Sequence, residues 1–132
     1  MGTKTIEDEI KDLIYRFSTN NNLNCDVKDL THLKTYTIDD SKTVEIDDAI
    51  SLEQVSGQNK LWIHIASPAS YIEYQSSIDE KARKLVSTVY LSTNTYYMLP
   101  EALINNVFSL SDKENRGSLS LGVILNLSLI HI

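Results

Sequence analysis

Residues 49–55 and 60–66 carry β-branched and aromatic side chains in two short runs, and the residues between them, Ser56-Gly57-Gln58-Asn59, supply the glycine that a tight connection needs. This pairing predicts an antiparallel hairpin, around which the remaining elements have to be arranged. Upstream, Ile6, Ile10, Leu13, Ile14 and Phe17 recur at helical spacing behind Thr5 and Asp8, which are positioned as a capping box. The pattern predicts an amphipathic helix ending near Ser18, followed by an asparagine-rich loop over residues 19–24. Downstream, Pro68 breaks the sheet, and Ser77 with Glu80 repeats the capping spacing ahead of Ile78, Ala82, Leu85 and Val86. Pro100 suits the first turn of a short third helix bearing Leu103, Ile104 and Val107, and residues 118–126 alternate as a strand does. The expected fold class is α+β, a hairpin and further strands packed with amphipathic helices, with no internal repeat.

Residues 37–51 read Thr-Ile-Asp-Asp-Ser-Lys-Thr-Val-Glu-Ile-Asp-Asp-Ala-Ile-Ser and gather Asp39, Asp40, Glu45, Asp47 and Asp48 between apolar, strand-like flanks. Five carboxylates within ten residues repel one another. On composition alone, a solvated acidic turn is the commoner reading of such a run. In a concave site the repulsion needs bound cations, and an all-oxygen donor set suits Mg²⁺ or Mn²⁺ rather than zinc. Magnesium retains waters and favours phosphate-bearing ligands, so phosphoryl chemistry is the natural use. Two ions about 3.5–4 Å apart can activate a water and stabilise a departing oxygen. An EF-hand loop is excluded, because neither Asp39 nor Asp40 starts its register of alternating ligands with a central glycine.

Charge enters as an objection to a nucleic-acid ligand. Twelve basic and eighteen acidic residues give a net charge of −6, where a free-standing nucleic-acid binder usually shows a basic excess. Bound metal would reverse the sign locally. No apolar run reaches the length of a membrane span, and the polar, acidic first ten residues lack a secretory pattern, so no membrane role and a cytoplasmic location are expected. Cys25 is the only cysteine, which excludes an internal disulfide and a cysteine-based zinc cage; its side chain is expected to be small and half-buried filler.

The ordered series Asp29-Leu30-Thr31, Thr37-Ile38-Asp39, Asp47-Asp48-Ala49-Ile50-Ser51, Ile63-His64-Ile65-Ala66, Val89-Tyr90-Leu91, Met98-Leu99-Pro100-Glu101 and Ser109-Leu110 resembles the RNB catalytic domain of ribonuclease II and ribonuclease R. The resemblance runs over residues 29–126 and about the first third of such a domain. It implies a hydrolase that degrades single-stranded RNA processively from the 3′ end, releasing nucleoside 5′-monophosphates with a divalent metal. By position, Asp39, Glu45, Asp47 and Asp48 correspond to the family's metal-binding and water-activating acids. Tyr90 corresponds to a tyrosine that packs against the terminal nucleotide, although the residue pattern alone would make it an ordinary core or strand aromatic. Glu45 stands where the family more often has Asp, which resembles a cyanobacterium-like subfamily; Ser67 stands where Asp is common, and Leu85-Val86 replaces an arginine-containing step. His64 is expected to be a structural strand residue, and Arg116 to make a surface or strand-edge ion pair.

The resemblance divides the chain into a helix and linker at residues 1–24, the front of an RNB domain at 25–126, and a tail at 127–132. That tail resembles a translated sequencing adapter and is expected to be non-native. The family's late arginine and glutamate and its flanking RNA-binding modules fall outside the chain, so the polypeptide alone is expected to be inactive. The alternatives are a degenerate RNB-like module that binds RNA without cutting it, and an unrelated α+β domain with a solvated acidic loop.

Overall fold

The computed structural model describes residues 4–19 and 27–125. In chain order these form helix α1 (Ile6–Ser18), strands β1 (Thr35–Tyr36), β2 (Asp48–Val55) and β3 (Gln58–Ala66), a 3₁₀ turn (Pro68–Ser70), helix α2 (Ser77–Leu85), strands β4 (Val89–Tyr90) and β5 (Thr95–Tyr96), helical turn α3 (Glu101–Leu103) continuing as a π turn (Ile104–Phe108), and strand β6 (Ser118–Leu125). The expected α+β class is observed. The asparagine-rich loop from residue 20, Cys25, Asn126 and the tail at 127–132 lie outside the described residues. The chain forms two compact units, one containing α1 and Pro68–Phe108, the other containing Val27–Ser67 and β6.

The helical unit closes on apolar side chains. Leu13, Tyr71, Ile78, Leu99, Leu103, Ile104, Val107 and Phe108 form its buried cluster, with Ile6, Ile10, Ile14 and Phe17 packed against it. These last four, with Leu13, are the face that helical spacing predicts for α1. Its capping box is present: the Thr5 hydroxyl accepts from the Asp8 amide at 3.2 Å, and the Asp8 carboxylate accepts from the Thr5 amide at 3.2 Å. Glu9 on the same helix accepts hydrogen bonds from the Ser77 and Ile78 amides, both at 3.1 Å, and so satisfies two otherwise orphaned donors at the start of α2.

Two expectations for α2 need correction. Its cap is Ser76, which accepts from the Asp79 amide at 3.2 Å, one residue before the predicted Ser77. A positive φ of 62° at Gln75 turns the chain early and leaves Ser76 extended. The predicted apolar face also ends early, because Val86 is the C-cap with φ 68° and is 77% exposed, while Leu85 is exposed as well. The third helix is a single α turn that widens into the π turn, whose Ile104, Val107 and Phe108 are buried.

The other unit is an antiparallel sheet in the order β1-β2-β3-β6. The hairpin is observed, but its connection has two residues, not four: Val55 pairs with Gln58 across Ser56 and Gly57. Their φ values of 51° and 79° are the twin positive values of the turn that matches strand twist. Register puts Ser51, Trp62 and Gly122 in one row, with Ala49, His64 and Ser120 in the next, on one face of the sheet. Along β2 and β3, Ala49, Ser51, Trp62 and His64 are buried. The opposite face is apolar: Ile50 pairs with Tyr36 and Ile63, Ile63 with Leu121, and Ile65 with Leu119. Tyr36, Ile50, Leu52, Ile65, Leu119 and Leu121 are nevertheless all exposed.

Candidate active site

The acidic run forms the connection from β1 to β2, and its two limbs are held differently. On the first, Asp40 is spent on the turn itself: its carboxylate accepts from the Lys42 amide at 3.0 Å, and its carbonyl from the Thr43 amide at 2.9 Å. Among the described residues, none makes such a bond to the side chain of Asp39 beside it. The second limb runs through Glu45 into Asp47 and Asp48. The Ser109 hydroxyl donates to the Val44 carbonyl at 2.8 Å and accepts from the Ile46 amide at 3.1 Å. The Leu110 amide donates to the Ile46 carbonyl at 2.9 Å, and the Ala66 amide to the Asp47 carbonyl at 2.7 Å. Asp48 then opens β2 opposite Ile65.

Asp47 is the focus of the group. Its carboxyl is pushed above its ordinary value of 3.8, first by desolvation and then by the charges of Glu45, Asp48 and Asp39. The residue as a whole is exposed, so the desolvation is local to the carboxyl. These three acids and Asp47 are the set picked out in the sequence, and Asp40, tied into its turn, is absent from the field. Among the described residues no cationic group contributes to that shift.

Among the described residues no group of three or more His, Cys, Asp or Glu side chains stands close enough to hold a metal ion. The acids therefore act on one another through their fields and not as a closed cage. That arrangement suits Mg²⁺ or Mn²⁺ held by one or two carboxylates, with water and substrate phosphate completing the shell. The donor set, carboxylates that repel one another at Asp47, has the chemistry such an ion takes.

Tyr90 belongs to the helical unit. It lies on β4, opposite Thr95, and is 65% exposed, so it is a strand residue and not a core one. His64 is structural as expected: it is 6% exposed, with Nε2 at 2.5 Å from the Ser51 hydroxyl and Nδ1 at 2.8 Å from that of Ser120. Burial holds its pKa below the usual 6.5. Arg116 forms the expected ion pair at the edge of β6, but from a buried position. Its side chain is only 6% exposed, and its Nε donates to the Ser109 carbonyl at 3.0 Å, while Glu114 is 3.9 Å away. The guanidinium thus serves both an exposed carboxylate and a backbone carbonyl. Ser109 was visible in the sequence only as part of a matching Ser-Leu pair; a small hydroxyl directly after the apolar Val107-Phe108 was the available signal.

Comparison with known proteins defines the class to which this antiparallel sheet and its acidic connection belong. The family model described as RNB domain matches residues 27–129, and the chain belongs to that family. It is 44% identical over 98 residues to "Ribonuclease II, chloroplastic/mitochondrial" of Arabidopsis thaliana, covering 74% of this chain and 12% of the relative. An uncharacterised ribonuclease of Synechocystis is 42% identical over 99 residues, covering 74% of this chain and 15% of that protein. Among solved structures, RNase R of Mycoplasma genitalium in complex with ribose-methylated single-stranded RNA superposes with a TM-score of 0.77 at 26% identity, covering 96% of this chain and 20% of that one. The chain thus spans between 12% and 20% of the length of these proteins. Among the described residues no helix is long and apolar enough to cross a membrane, and one of these relatives is named for organelles and not for the cytoplasm.

Proposed function

We propose that this chain contributes the acidic part of the active site of a 3′-to-5′ exoribonuclease that hydrolyses single-stranded RNA to nucleoside 5′-monophosphates. The observation that carries the reading is the convergence of the fields of Asp39, Glu45 and Asp48 on the partly desolvated carboxyl of Asp47, in a chain of the RNB family. One or two carboxylates of the set Asp39, Glu45, Asp47 and Asp48, with water and substrate phosphate completing the shell, would hold Mg²⁺ or Mn²⁺. When bound, the ion supplies an activated water and charge stabilisation at the phosphate. The chain's own contribution is to hold the carboxylates in register, through the backbone bonds at Val44, Ile46 and Asp47. The raised affinity of Asp47 for a proton marks a site where a divalent cation relieves repulsion that a proton otherwise relieves. Tyr90 offers an exposed ring to the terminal nucleotide, and such stacking is worth roughly 1–3 kcal/mol per base without regard to sequence. The groups that grip the terminal phosphates lie, on this reading, in polypeptide beyond these residues, and the chain alone is inactive.

The test uses two preparations. The 132-residue chain should release no mononucleotides from a 5′-labelled oligoribonucleotide with Mg²⁺, and turnover by it would refute the fragment reading. The continuous reading frame recovered from source DNA should release them. In that longer protein, Asp47→Asn should slow hydrolysis at least about 100-fold while RNA retention stays near its starting level. Retained activity would remove Asp47 from the site, and RNA retention without metal-dependent cleavage by the unsubstituted protein would identify a binding module that has lost catalysis.

A further inference from the structure

We infer that Ser109, backed by Arg116, is the positioning residue of the acidic site: it sets the backbone on both sides of Glu45 and so fixes where the Glu45 and Asp47 carboxylates stand. The inference rests on the proposed reading of those acids as cation ligands.

The geometry is specific. Ser109 is 2% exposed, one of the most buried polar residues described. Its hydroxyl uses both its capacities on one short segment, donating to the carbonyl before Glu45 and accepting from the amide after it. The amide of the next residue, Leu110, takes the Ile46 carbonyl. Three consecutive contacts therefore clamp residues 44–46 to a segment more than sixty positions away in sequence. Behind the clamp, the nearly buried Arg116 side chain donates to the Ser109 carbonyl at 3.0 Å. A guanidinium in this position holds the serine by its carbonyl while the hydroxyl engages residues 44 and 46, and a charged donor to a carbonyl is among the stronger hydrogen bonds. An alanine would fill the space but leave the Ile46 amide and the Val44 carbonyl without their partner.

The consequence is confined to one limb of the acidic run. Asp40 and its turn are self-sufficient, so the first limb keeps its shape without Ser109. On the second limb, the Ala66 amide holds the Asp47 carbonyl, and the contacts of Ser109 and Leu110 hold residues 44 and 46. A carboxylate with one methylene more than aspartate, as at position 45, has more freedom to lose and depends more on a fixed backbone. Residues that orient the ligands of a bound ion without touching it typically contribute 10–100-fold in affinity.

The experiment is calorimetric titration of the 132-residue chain with Mn²⁺ alone, alongside thermal unfolding of each variant. Ser109→Ala should weaken Mn²⁺ binding about tenfold or more, and Ser109→Thr, which keeps the hydroxyl, should restore most of it. Ile78→Val, in the core of the other unit, should lower thermal stability without moving the affinity. Equal binding by Ser109→Ala and the parent chain would overturn the inference, as would a loss of affinity in Ile78→Val that tracks its loss of stability. If Ser109→Ala does not fold, Ser109→Cys, with a longer and weaker hydrogen-bonding group, takes its place in the same comparison. Asp47→Asn separates the two layers of argument. Binding that is lost in Asp47→Asn but kept in Ser109→Ala sinks the positioning role alone, whereas a parent chain that takes up no Mn²⁺ sinks the ligand reading and the positioning role with it.

Discussion

The helical unit and the sheet unit solve the burial problem in opposite ways. In the first, apolar residues at helical spacing meet one another: Leu103 and Val107 are fully buried, and Ile78 and Ile104 nearly so. In the second, the buried side of the sheet is largely polar and is held by specific bonds. His64 joins the hydroxyls of β2 and β6, and the Trp62 indole donates to Glu53 at 2.9 Å while the Lys60 ammonium lies 4.0 Å from its ring centre. The sheet's apolar side is the exposed one. A contiguous apolar surface of this kind is uncommon on soluble monomers. The units therefore owe their stability to different terms, hydrophobic burial in one and satisfied polar networks plus the strand ladder in the other.

The sharpest way to break this contrast is a pair of substitutions. Leu103→Ala should cost about 2–5 kcal/mol through lost burial and a residual cavity, measured by urea unfolding. Leu121→Lys, on the exposed apolar face, should change stability by no more than about 0.5 kcal/mol in the same measurement. A large cost at Leu121 would mean that the face is covered in solution and that the two units are not so different.

Gly122→Ala probes the polar side. A Cβ there would lie 2.4 Å from the Lys60 Cε and 2.9 Å from the Trp62 Cζ3. The lysine end can swing away, but the indole cannot move without straining its bond to Glu53, so the expected cost is about 1–3 kcal/mol, with a change in tryptophan fluorescence. An unchanged spectrum would show that the ring is looser than its contacts imply. Thr5→Ala, which removes the capping box of α1, should cost about 1 kcal/mol and fall on the helical unit, read as faster amide exchange in α1.

The smallest effects are those of pH, and they too are expected to be confined to the sheet unit. His64 has a folded pKa below 6.5, so the unfolded chain protonates first: its contribution is complete above pH 6.5 and is lost as the pH falls toward the folded value. Asp47 has the opposite sign. Its folded value lies above 3.8, so folding holds the proton more tightly and stability declines as the pH rises from 3.8 through the folded value. Urea midpoints across pH 3–8 should lose the first slope in His64→Gln and the second in Asp47→Asn. Unchanged profiles would remove the desolvation argument at each residue.

Local physics was legible in the sequence and long-range contact was not. The cap, length and buried face of α1 follow from residues within four positions of one another, and all are present. The hairpin could be read for the same reason, but Gln58 and Asn59 looked like turn residues because they are polar, and only pairing across to β6 makes Asn59 a strand position. The π turn shares its apolar spacing with an ordinary helix and cannot be distinguished by pattern. In the site, the carboxylates were visible by type. That Asp40 serves the turn, while Asp39, Glu45 and Asp48 act on Asp47, depends on how the backbone folds. The burial of Arg116 and the clamp by Ser109 join segments distant in sequence, where no periodicity carries information.

The family boundary at residue 27 falls after α1, yet Leu13 sits in the same buried cluster as Leu103, and Glu9 closes the start of α2. Anyone trimming a gene to that boundary would remove a wall of the helical unit together with the carboxylate that finishes its second helix. Such a shortened protein is expected to come out of expression in inclusion bodies, and supplying residues 4–19 as a separate peptide should restore part of the yield on refolding.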